Sequence, residues 1–493
     1  MSLAKCLTSS LFGVAVLLFF GLAYPHHLHY QEHYQLFLFD STYVWDIVRL
    51  PGGVADLLGR FCTQFFLYAW VGALIIAVLL SLVQLLTLRL FSTINVQWSY
   101  GLSYVPSFLL WLFLLDEHAL LGGVWAVLLT LLAIWLLIML PGGWTRRIAI
   151  LVAIPVLYWV VGPNWNGSHY YRFPKVFPTL LYAAWLSAIV LPFLVRIGQR
   201  WLNNPHSTFL RPDGSKRPSA ERHVPHSTFL RPDGSKRPSA ERLIPPSTFL
   251  LVAVCMGWLV WKNANFKAEK VMQYDFMACH QQWNRILETV NKEKPNNQIG
   301  VTVQNLALAM HGQLVNHLFD YNQNGIAGLL PDVQSDATSP MPTAEAFYQL
   351  GMIYVAQRTV FEAQEAILDF QKSARCYKRL AQTNLIIGSY DVARKYLMAL
   401  QKTLFYREWA NETLPLLDNE EAIAKHPEYG RLRQCAYDKN FFFSDHVTPE
   451  MLESLYFSNT DNRLALEYLM AYYVLTGDRE SYAKLILQTS VKQ

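Results

Sequence analysis

Charged residues are scarce in this chain of 493 residues: 16% are Asp, Glu, Lys or Arg, whereas 53% are hydrophobic. This balance excludes an ordinary soluble protein. Cysteine is also rare. The six cysteines show no CxxC spacing, and the three in the C-terminal half, Cys279, Cys376 and Cys435, support neither a disulfide framework nor a metal site. The net charge of +5 comes mostly from one basic loop, so it requires no nucleic-acid partner.

Seven apolar stretches predict a multi-pass membrane domain of about seven spans, because most of them approach the ~20 residues that cross a bilayer. They cover residues 7–24, 61–88, 100–115, 119–140, 148–161, 176–197 and 247–261. The third, fifth and seventh are short for a span. Charged residues are nearly absent within the stretches, which disfavours an ion or proton transporter.

The basic residues between these stretches indicate the topology. If Lys5 is cytoplasmic, so are Arg89, Arg146, Arg147 and the basic stretch 196–242, as the positive-inside rule expects. The N-terminus is then cytoplasmic, and residues 263–493 form a periplasmic domain of a bacterial inner-membrane protein. A cleaved signal peptide in residues 1–24 is the alternative, although residues 23–25 make a poor small-residue cleavage site.

Four regions follow from this pattern. They are a transmembrane domain 1–200 with a first outer loop 25–60, a cytoplasmic loop 201–246, a last transmembrane helix 247–262 and an outer domain 263–493. Within the cytoplasmic loop, residues 206–222 recur unchanged as 226–242. Each copy has few bulky apolar residues and contains Pro and Gly, so we expect a flexible loop and not a solenoid. A basic patch that contacts anionic lipid is the functional alternative.

The outer domain has the pattern of helical hairpins. Residues in the segment 347–368 have counterparts 30 positions later, with Gly388 at a turn; the two sets are Leu350, Gly351, Tyr354 and Ala363, and Leu380, Ala381, Asn384 and Ala393. A weaker unit covers 464–487 with Gly477 in its turn, and further helices are predicted at 268–290 and 303–319. These offsets resemble tetratricopeptide repeats, whose usual period is about 34 residues. The resemblance implies an all-α array that binds a protein partner.

The first outer loop concentrates polar chemistry beside the membrane. Its ionisable residues are His26, His27, His29, Glu32, His33, Asp40, Asp46, Arg49 and Asp56. The order of His29, Glu32 and His33 matches the H-x-x-E-H string of a class of zinc proteases, but no third ligand follows at a suitable spacing. Polar and aromatic residues are also common at headgroup level without any catalytic role.

The layout of residues 1–200 resembles the GT-C class of membrane glycosyltransferases, which have a long first outer loop and acids in the first two outer loops. The resemblance implies that Glu32 or Asp40 supplies the first-loop acid. Asp116 and Glu117 would form the second-loop pair and, with Glu32, hold Mg²⁺ or Mn²⁺. No Asp-Asp or Asp-x-Asp pair is present in the first loop, so the base stays open between Glu32, Asp40 and Asp46.

The same resemblance implies a polyprenyl-phosphate-linked sugar as donor, with His169, Arg172 and Lys175 contacting its phosphate. The whole chain is also similar to multi-pass membrane proteins of Bacteroidota that carry outer tetratricopeptide-like domains. Two hypotheses therefore stand side by side: a membrane-anchored scaffold or assembly factor with a protein partner, and a lipid-linked sugar transferase. The transferase requires a first-loop carboxylate within about 6–8 Å of Asp116 and Glu117.

Overall fold

The computed structural model describes residues 3–33, 35–93, 99–162, 179–190, 193–194, 197, 246–332, 340–367, 371–437 and 448–490. Every regular element within these ranges is a helix, as the predicted all-α class requires. Almost all of the predicted cytoplasmic loop 201–246 lies outside the described residues.

The N-terminal half contains long apolar helices and shorter helices between them. Their bounds are α1 Leu3–Leu18, α2 Pro25–Glu32, α3 Ser41–Val48, α4 Gly53–Thr63, α5 Ala69–Thr93, α6 Ser99–Leu102, α7 Tyr104–Phe113, α8 Leu121–Met139, α9 Trp144–Val161, α10 Thr179–Ile189 and α11 Pro246–Asn263. A π-helical turn, Phe19–Ala23, prolongs α1, and a 3-10 turn, Gln64–Leu67, follows α4. Helices α2 and α3 and most of α4 lie in the predicted first outer loop, residues 25–60.

In the part of the chain that the structure describes, four helices are long and apolar enough to cross a membrane. They are Cys6–Ala23, Ala69–Thr93, Leu121–Met139 and Trp144–Val161. They coincide with the first, second, fourth and fifth predicted spans, whereas the third and sixth correspond to shorter apolar helices in the described residues. The seventh forms α11 and is not among the four. The second predicted span begins too early, because the extended backbone of Tyr68 separates the 3-10 turn from α5.

The apolar helices differ in how much of their surface the chain covers. Helix α9 leaves most of its apolar side chains exposed, which suits contact with lipid acyl chains. Between α1, α5 and α7, the amide of Gln84 is fully buried, accepts from Ser9 Oγ at 3.1 Å and donates to Ser103 Oγ at 2.9 Å. Such interhelical hydrogen bonds stabilise helix packing in membranes.

The C-terminal half is a continuous series of shorter helices. Their bounds are α12 Phe266–Cys279, α13 Trp283–Glu293, α14 Gln298–Met310, α15 Pro340–Leu350, α16 Ile353–Ala366, α17 Ala374–Ile386, α18 Tyr390–Leu400, α19 Arg407–Thr413, α20 Glu420–Lys425, α21 Pro427–Cys435, α22 Pro449–Ser458, α23 Arg463–Thr476 and α24 Arg479–Ser490. The predicted helix 268–290 is two helices, because Gln281 has a left-handed backbone, with φ of 53°. The predicted helix 303–319 corresponds to α14, which begins earlier, at Gln298, and ends at Met310.

Three helical hairpins, α15 with α16, α17 with α18 and α23 with α24, each turn at a glycine. Gly351, Gly388 and Gly477 have φ values of 91°, 81° and 71°, which a side chain would disfavour. The predicted turns at Gly388 and Gly477 are confirmed. The predicted equivalence of Gly351 with Ala381 is wrong, because Gly351 ends a helix whereas Ala381 lies inside α17.

Helices α4 and α8 approach closely at a pair of glycines. A Cβ atom on Gly59 would lie 2.5 Å from the backbone nitrogen of Gly122 and 2.8 Å from its Cα. Small residues allow this kind of backbone approach between helices. The contact fixes the end of the first outer loop to the membrane domain.

Gly59→Ala should destabilise the protein by about 1–3 kcal/mol, because the new methyl group would overlap backbone that cannot move aside. The thermal unfolding midpoint in detergent should fall. Gly142→Ala is the matched control, since a Cβ there meets nothing within 4 Å. An unchanged midpoint for Gly59→Ala would contradict the close contact between α4 and α8.

Candidate functional site

Helix α2, which follows the first span, is held at its N-terminus by the C-terminal half. The two carboxylate oxygens of Glu269 accept from the backbone N–H groups of His26 and His27, both at 2.8 Å. Pro25 occupies the first helical position, where its missing N–H costs nothing. A carboxylate at this end satisfies two otherwise unpaired donors and favours the helix dipole.

The chain after α2 lies along the C-terminal helices. The backbone N–H of Leu36 donates to the carbonyl of Lys372 at 2.8 Å, and that of Phe39 to the carbonyl of Lys402 at 2.7 Å. Leu36 is buried in the main core of the C-terminal helices. The first outer loop and these helices therefore form one packed unit.

Asp40, a predicted catalytic acid, takes part in this packing. Its carboxylate pairs with the Lys402 ammonium and accepts from the N–H of Thr42 and Tyr43 at the start of α3. The bond from Lys402 holds the pKa of Asp40 well below its usual range. Asp40 thus has the contacts of a helix cap and an ion pair, and its proton affinity is low for a general base.

A buried ion pair lies next to α2. The Arg375 guanidinium donates to both carboxylate oxygens of Asp275, at 2.5 and 2.7 Å, and also to Nε2 of His33 at 2.7 Å. Burial acts to raise the pKa of Asp275, but Arg375 outweighs it and lowers that pKa. Because His33 Nε2 accepts this bond, the imidazole is neutral and carries its proton on Nδ1.

Glu32, the other predicted first-loop acid, faces the C-terminal helices. Its carboxyl group is 5% exposed and accepts from the Tyr406 hydroxyl, 3.3 Å from each oxygen. Burial raises its pKa to about 7, against the lowering effects of Tyr406 and Arg375. A carboxyl group with this pKa is able to exchange a proton near neutral pH.

The turn between α7 and α8, which the sequence predicts to be the second outer turn, holds a compact group of possible metal ligands. Ligand atoms of Asp116, Glu117 and His118 all lie within 4.8 Å of one another. The backbone N–H of His118 donates to Asp116 Oδ1 at 2.9 Å, which fixes the turn. Two carboxylates and an imidazole are a donor set that suits Mn²⁺ or Zn²⁺. The sequence identified Asp116 and Glu117 but not His118.

Helix α2 contacts this turn directly, so the first two outer loops meet. Gln31 Nε2 donates to the carbonyls of Asp116 and Ala119, at 3.3 and 3.2 Å, and His27 Nε2 lies 3.0 Å from the carbonyl of Leu114. A cavity of about 10 Å³ lies between Gln31, Gln35 and Glu117, enough for one water. The α2 side chains that contact this turn are thus an amide and an imidazole. The Glu32 carboxylate, the predicted first-loop acid, instead contacts Tyr406 in the C-terminal half.

The other predicted site residues in the described part of the chain do not join Asp116, Glu117 and His118. Asp46 forms an exposed ion pair with Arg49. In the zinc-protease string, His29 stacks on Phe276 at 4.3 Å and His33 is bound to Arg375, so the described side chains do not converge on a metal. His169, Arg172 and Lys175 lie outside the described residues.

The sequence did not identify a polar cavity in the C-terminal half. It has a volume of about 120 Å³ and is lined by Cys279, Gln281, Met341, Glu345, Arg375, Lys378, Arg379, Gln382 and Glu428. Three of its cations, Arg375, Lys378 and Arg379, come from one face of α17. Their spacing of three and four residues is the sequence feature that places them on one face of a helix.

Comparisons with known proteins give one result. A family model described as "Family of unknown function (DUF6057)" matches residues 1–165 and 163–492. No curated protein matches the chain, and no solved structure matches it.

Asp275→Asn should destabilise the protein by about 3–5 kcal/mol, because it leaves the buried Arg375 charge without its carboxylate. Thermal and urea unfolding of the detergent-solubilised protein measure this effect. Glu421→Gln is the matched control: it breaks an ion pair with Lys425 whose side chains are 79% and 74% exposed. That control should change stability by no more than about 0.5 kcal/mol. Equal effects of the two variants would contradict the buried pair.

The junction should also respond to pH. Burial lowers the histidine pKa values to about 4 for His26, His27 and His29 and about 3 for His33. The unfolded chain then binds more protons than the folded chain below the ordinary pKa of 6.5, so stability is lost as the pH falls from 6.5 to about 4. Burial raises the pKa of Glu32 and Glu269 to about 7, so their contribution is lost as the pH rises from 4.5 to about 7.

Because four histidines oppose two carboxyl groups, we expect the unfolding midpoint to be highest near pH ~7 and to fall towards pH ~5. Differential scanning fluorimetry across this range measures it. His33→Gln, which keeps an acceptor for Arg375, should make the fall shallower. A midpoint that rises on acidification would show that the two carboxyl groups dominate.

Proposed function

Because this chain belongs to the DUF6057 family, whose description assigns no activity, we propose a function from its own geometry. The protein is a membrane-anchored scaffold or assembly factor, and its C-terminal helical domain binds a protein partner. The observation that carries this proposal is the packing of the first outer loop into the C-terminal helices. This packing gives the helical domain a fixed orientation on its membrane anchor.

A groove on the helical domain supports a partner. It has a volume of about 380 Å³, lies across α16, α17 and α18, and is lined by Tyr354, Gln357, Arg358, Phe361, Leu380, Asn384, Val392 and Tyr396. Phe361 is 51% exposed and therefore presents an aromatic ring at the groove surface. Aromatic side chains and Arg are enriched at protein interfaces.

In this proposal the helical domain is periplasmic and tetratricopeptide-like, and the membrane is a bacterial inner membrane. The distribution of Lys5, Arg89, Arg146 and Arg147 supports a cytoplasmic N-terminus. The turns at Gly388 and Gly477 support stacked helical hairpins. The bilayer and the protein partner are the two surfaces that the protein connects.

A GT-C-like glycosyltransferase is the second candidate, favoured by the compact group of Asp116, Glu117 and His118. In that reading the group holds Mg²⁺ or Mn²⁺ against the phosphate of a polyprenyl-linked sugar, and Glu32 accepts the proton of the acceptor. The scaffold is favoured because the Glu32 carboxylate is buried against Tyr406.

Photo-crosslinking in cells tests the scaffold. A benzophenone side chain at position 361, in the groove, should form one discrete protein adduct. The matched control is position 487, because Leu487 is 69% exposed but does not line the groove. Equal labelling from both positions, or none from position 361, would contradict a partner in the groove.

An experiment in the same cells distinguishes the scaffold hypothesis from the glycosyltransferase hypothesis. The double variant Asp116→Asn and Glu117→Gln should leave the adduct from position 361 unchanged, because the second outer turn does not line the groove. A transferase would instead lose its sugar product with these substitutions, by a factor of about 10² or more. The readouts are adduct yield and labelled lipid-linked sugar in membranes.

A further inference from the structure

Helix α3 lies on the surface of the protein and exposes large apolar side chains. Trp45 in the helix is 66% exposed, and Leu50, just after its end, is 57% exposed. All eight residues of α3 are at least partly exposed when the described part of the chain is considered. Single exposed apolar side chains are common on protein surfaces, so the position of these two in the fold decides what they contact.

The chain after α3 is fixed to the end of α9, one of the four helices of membrane-spanning length. The backbone N–H of Gly52 donates to the carbonyl of Trp159, in the last turn of α9, at 2.7 Å. A Cβ on Gly162, just beyond α9, would lie 2.5 Å from the Gly52 nitrogen, so the two backbones are in close contact. Leu50 precedes Gly52 by two residues, so their Cα atoms lie within about 7 Å of each other.

The start of α4 lies at the same level. Ala55 packs with Val161 of α9 and Ala126 of α8 in a small buried apolar cluster. Ala126 follows the first residue of α8 by five positions, which corresponds to about 7 Å along the helix axis. The turn between α3 and α4 therefore lies beside the ends of two helices long enough to cross a membrane, and not above them.

The exposed apolar side chains of α9 extend as far as this turn. Leu151 and Ile154 are 68% and 62% exposed, and Trp159 is 42% exposed. The 18 residues of α9 span about 27 Å, close to the ~30 Å hydrocarbon thickness of a bilayer. The last turn of α9 then lies where hydrocarbon meets headgroups. Each headgroup layer is about 5–8 Å deep, which is the distance from Gly52 within which Leu50 lies.

The side chains of α3 suit this headgroup layer. Tryptophan is enriched there, because its ring is apolar and its N–H is a hydrogen-bond donor. Asp46 and Arg49 form an exposed ion pair at the C-terminal end of α3, so their charges cancel. A surface of this kind binds lipid through its apolar side chains and gains nothing from anionic headgroups.

We propose that Trp45 and Leu50 insert into the headgroup layer of one membrane leaflet, which makes α3 an interfacial anchor. The inference rests on the membrane anchor of the proposed function and adds a second lipid contact outside the spanning helices. Helix α3 begins on the C-terminal helical domain, where Asp40 pairs with Lys402. Insertion of α3 therefore holds this domain at a fixed height above the lipid.

Photo-crosslinking to lipid tests this contact. The full-length protein carries a benzophenone side chain at position 45 or 50 in phosphatidylcholine vesicles, and mass spectrometry of the intact protein measures the lipid adduct. The matched control is position 487, because Leu487 is 69% exposed on α24, which packs on α23 of the helical domain. Position 151, on the exposed surface of α9, is the positive control.

Positions 45 and 50 should give about tenfold more lipid adduct than position 487, because burial of a large apolar side chain favours insertion by a factor of this size. Vesicles that also contain phosphatidylglycerol should give the same yield, since the charges of Asp46 and Arg49 cancel.

Three results would overturn the proposal. They are a yield at position 45 no higher than at position 487, an adduct that forms only with anionic lipid, and, in cells, a discrete protein adduct from position 45 in place of lipid. If position 151 forms a lipid adduct while positions 45 and 50 do not, the interfacial anchor alone is wrong. If position 151 also fails, the membrane anchor of the proposed function is wrong as well.

Discussion

The contact between the Glu269 carboxylate and the first turn of α2 is the constraint on which the arrangement of the two halves depends. It joins the chain that leaves the first span to the chain that leaves α11, although the two are 242 residues apart in sequence. Tyr24 joins the same two chain segments, because its hydroxyl accepts from the N–H of Asn265. The hydroxyl also donates to the carbonyl of Leu115. Once α2 has this position, the polar side chains that follow it meet the C-terminal helices.

The junction is polar, and its one buried ion pair described above, Asp275 with Arg375, is fully satisfied. The Asp275 and Arg375 side chains are each 12% exposed, yet the bidentate bond and His33 satisfy them together. Such a pair adds little stability relative to an apolar replacement, but breaking it is costly. It therefore favours the one arrangement of the two halves in which both partners meet. The histidines remain neutral because burial lowers their pKa values, and at His33 the charge of Arg375 adds to this effect.

The sequence predicted the elements that depend on local pattern. Apolar length identified the four longest spans, and glycine identified the turns at Gly388 and Gly477. It failed where a residue's role is set by a distant partner: Glu32 meets Tyr406 across 374 residues, and Asp40 meets Lys402 across 362. No local periodicity records these separations. The cavity on α17 was missed because its cations, read along one helix, are indistinguishable from a solvated face.

The same long-range contacts bear on the choice between the two proposed functions. A transferase needs its acid free to approach the acceptor, but Glu32 is covered by α19 through Tyr406. The segments that carry these two residues are also joined to each other, by the backbone bond from Phe39 to Lys402 and by the ion pair of Asp40 with the same lysine. The geometry therefore favours a fixed platform over an acid that opens to substrate.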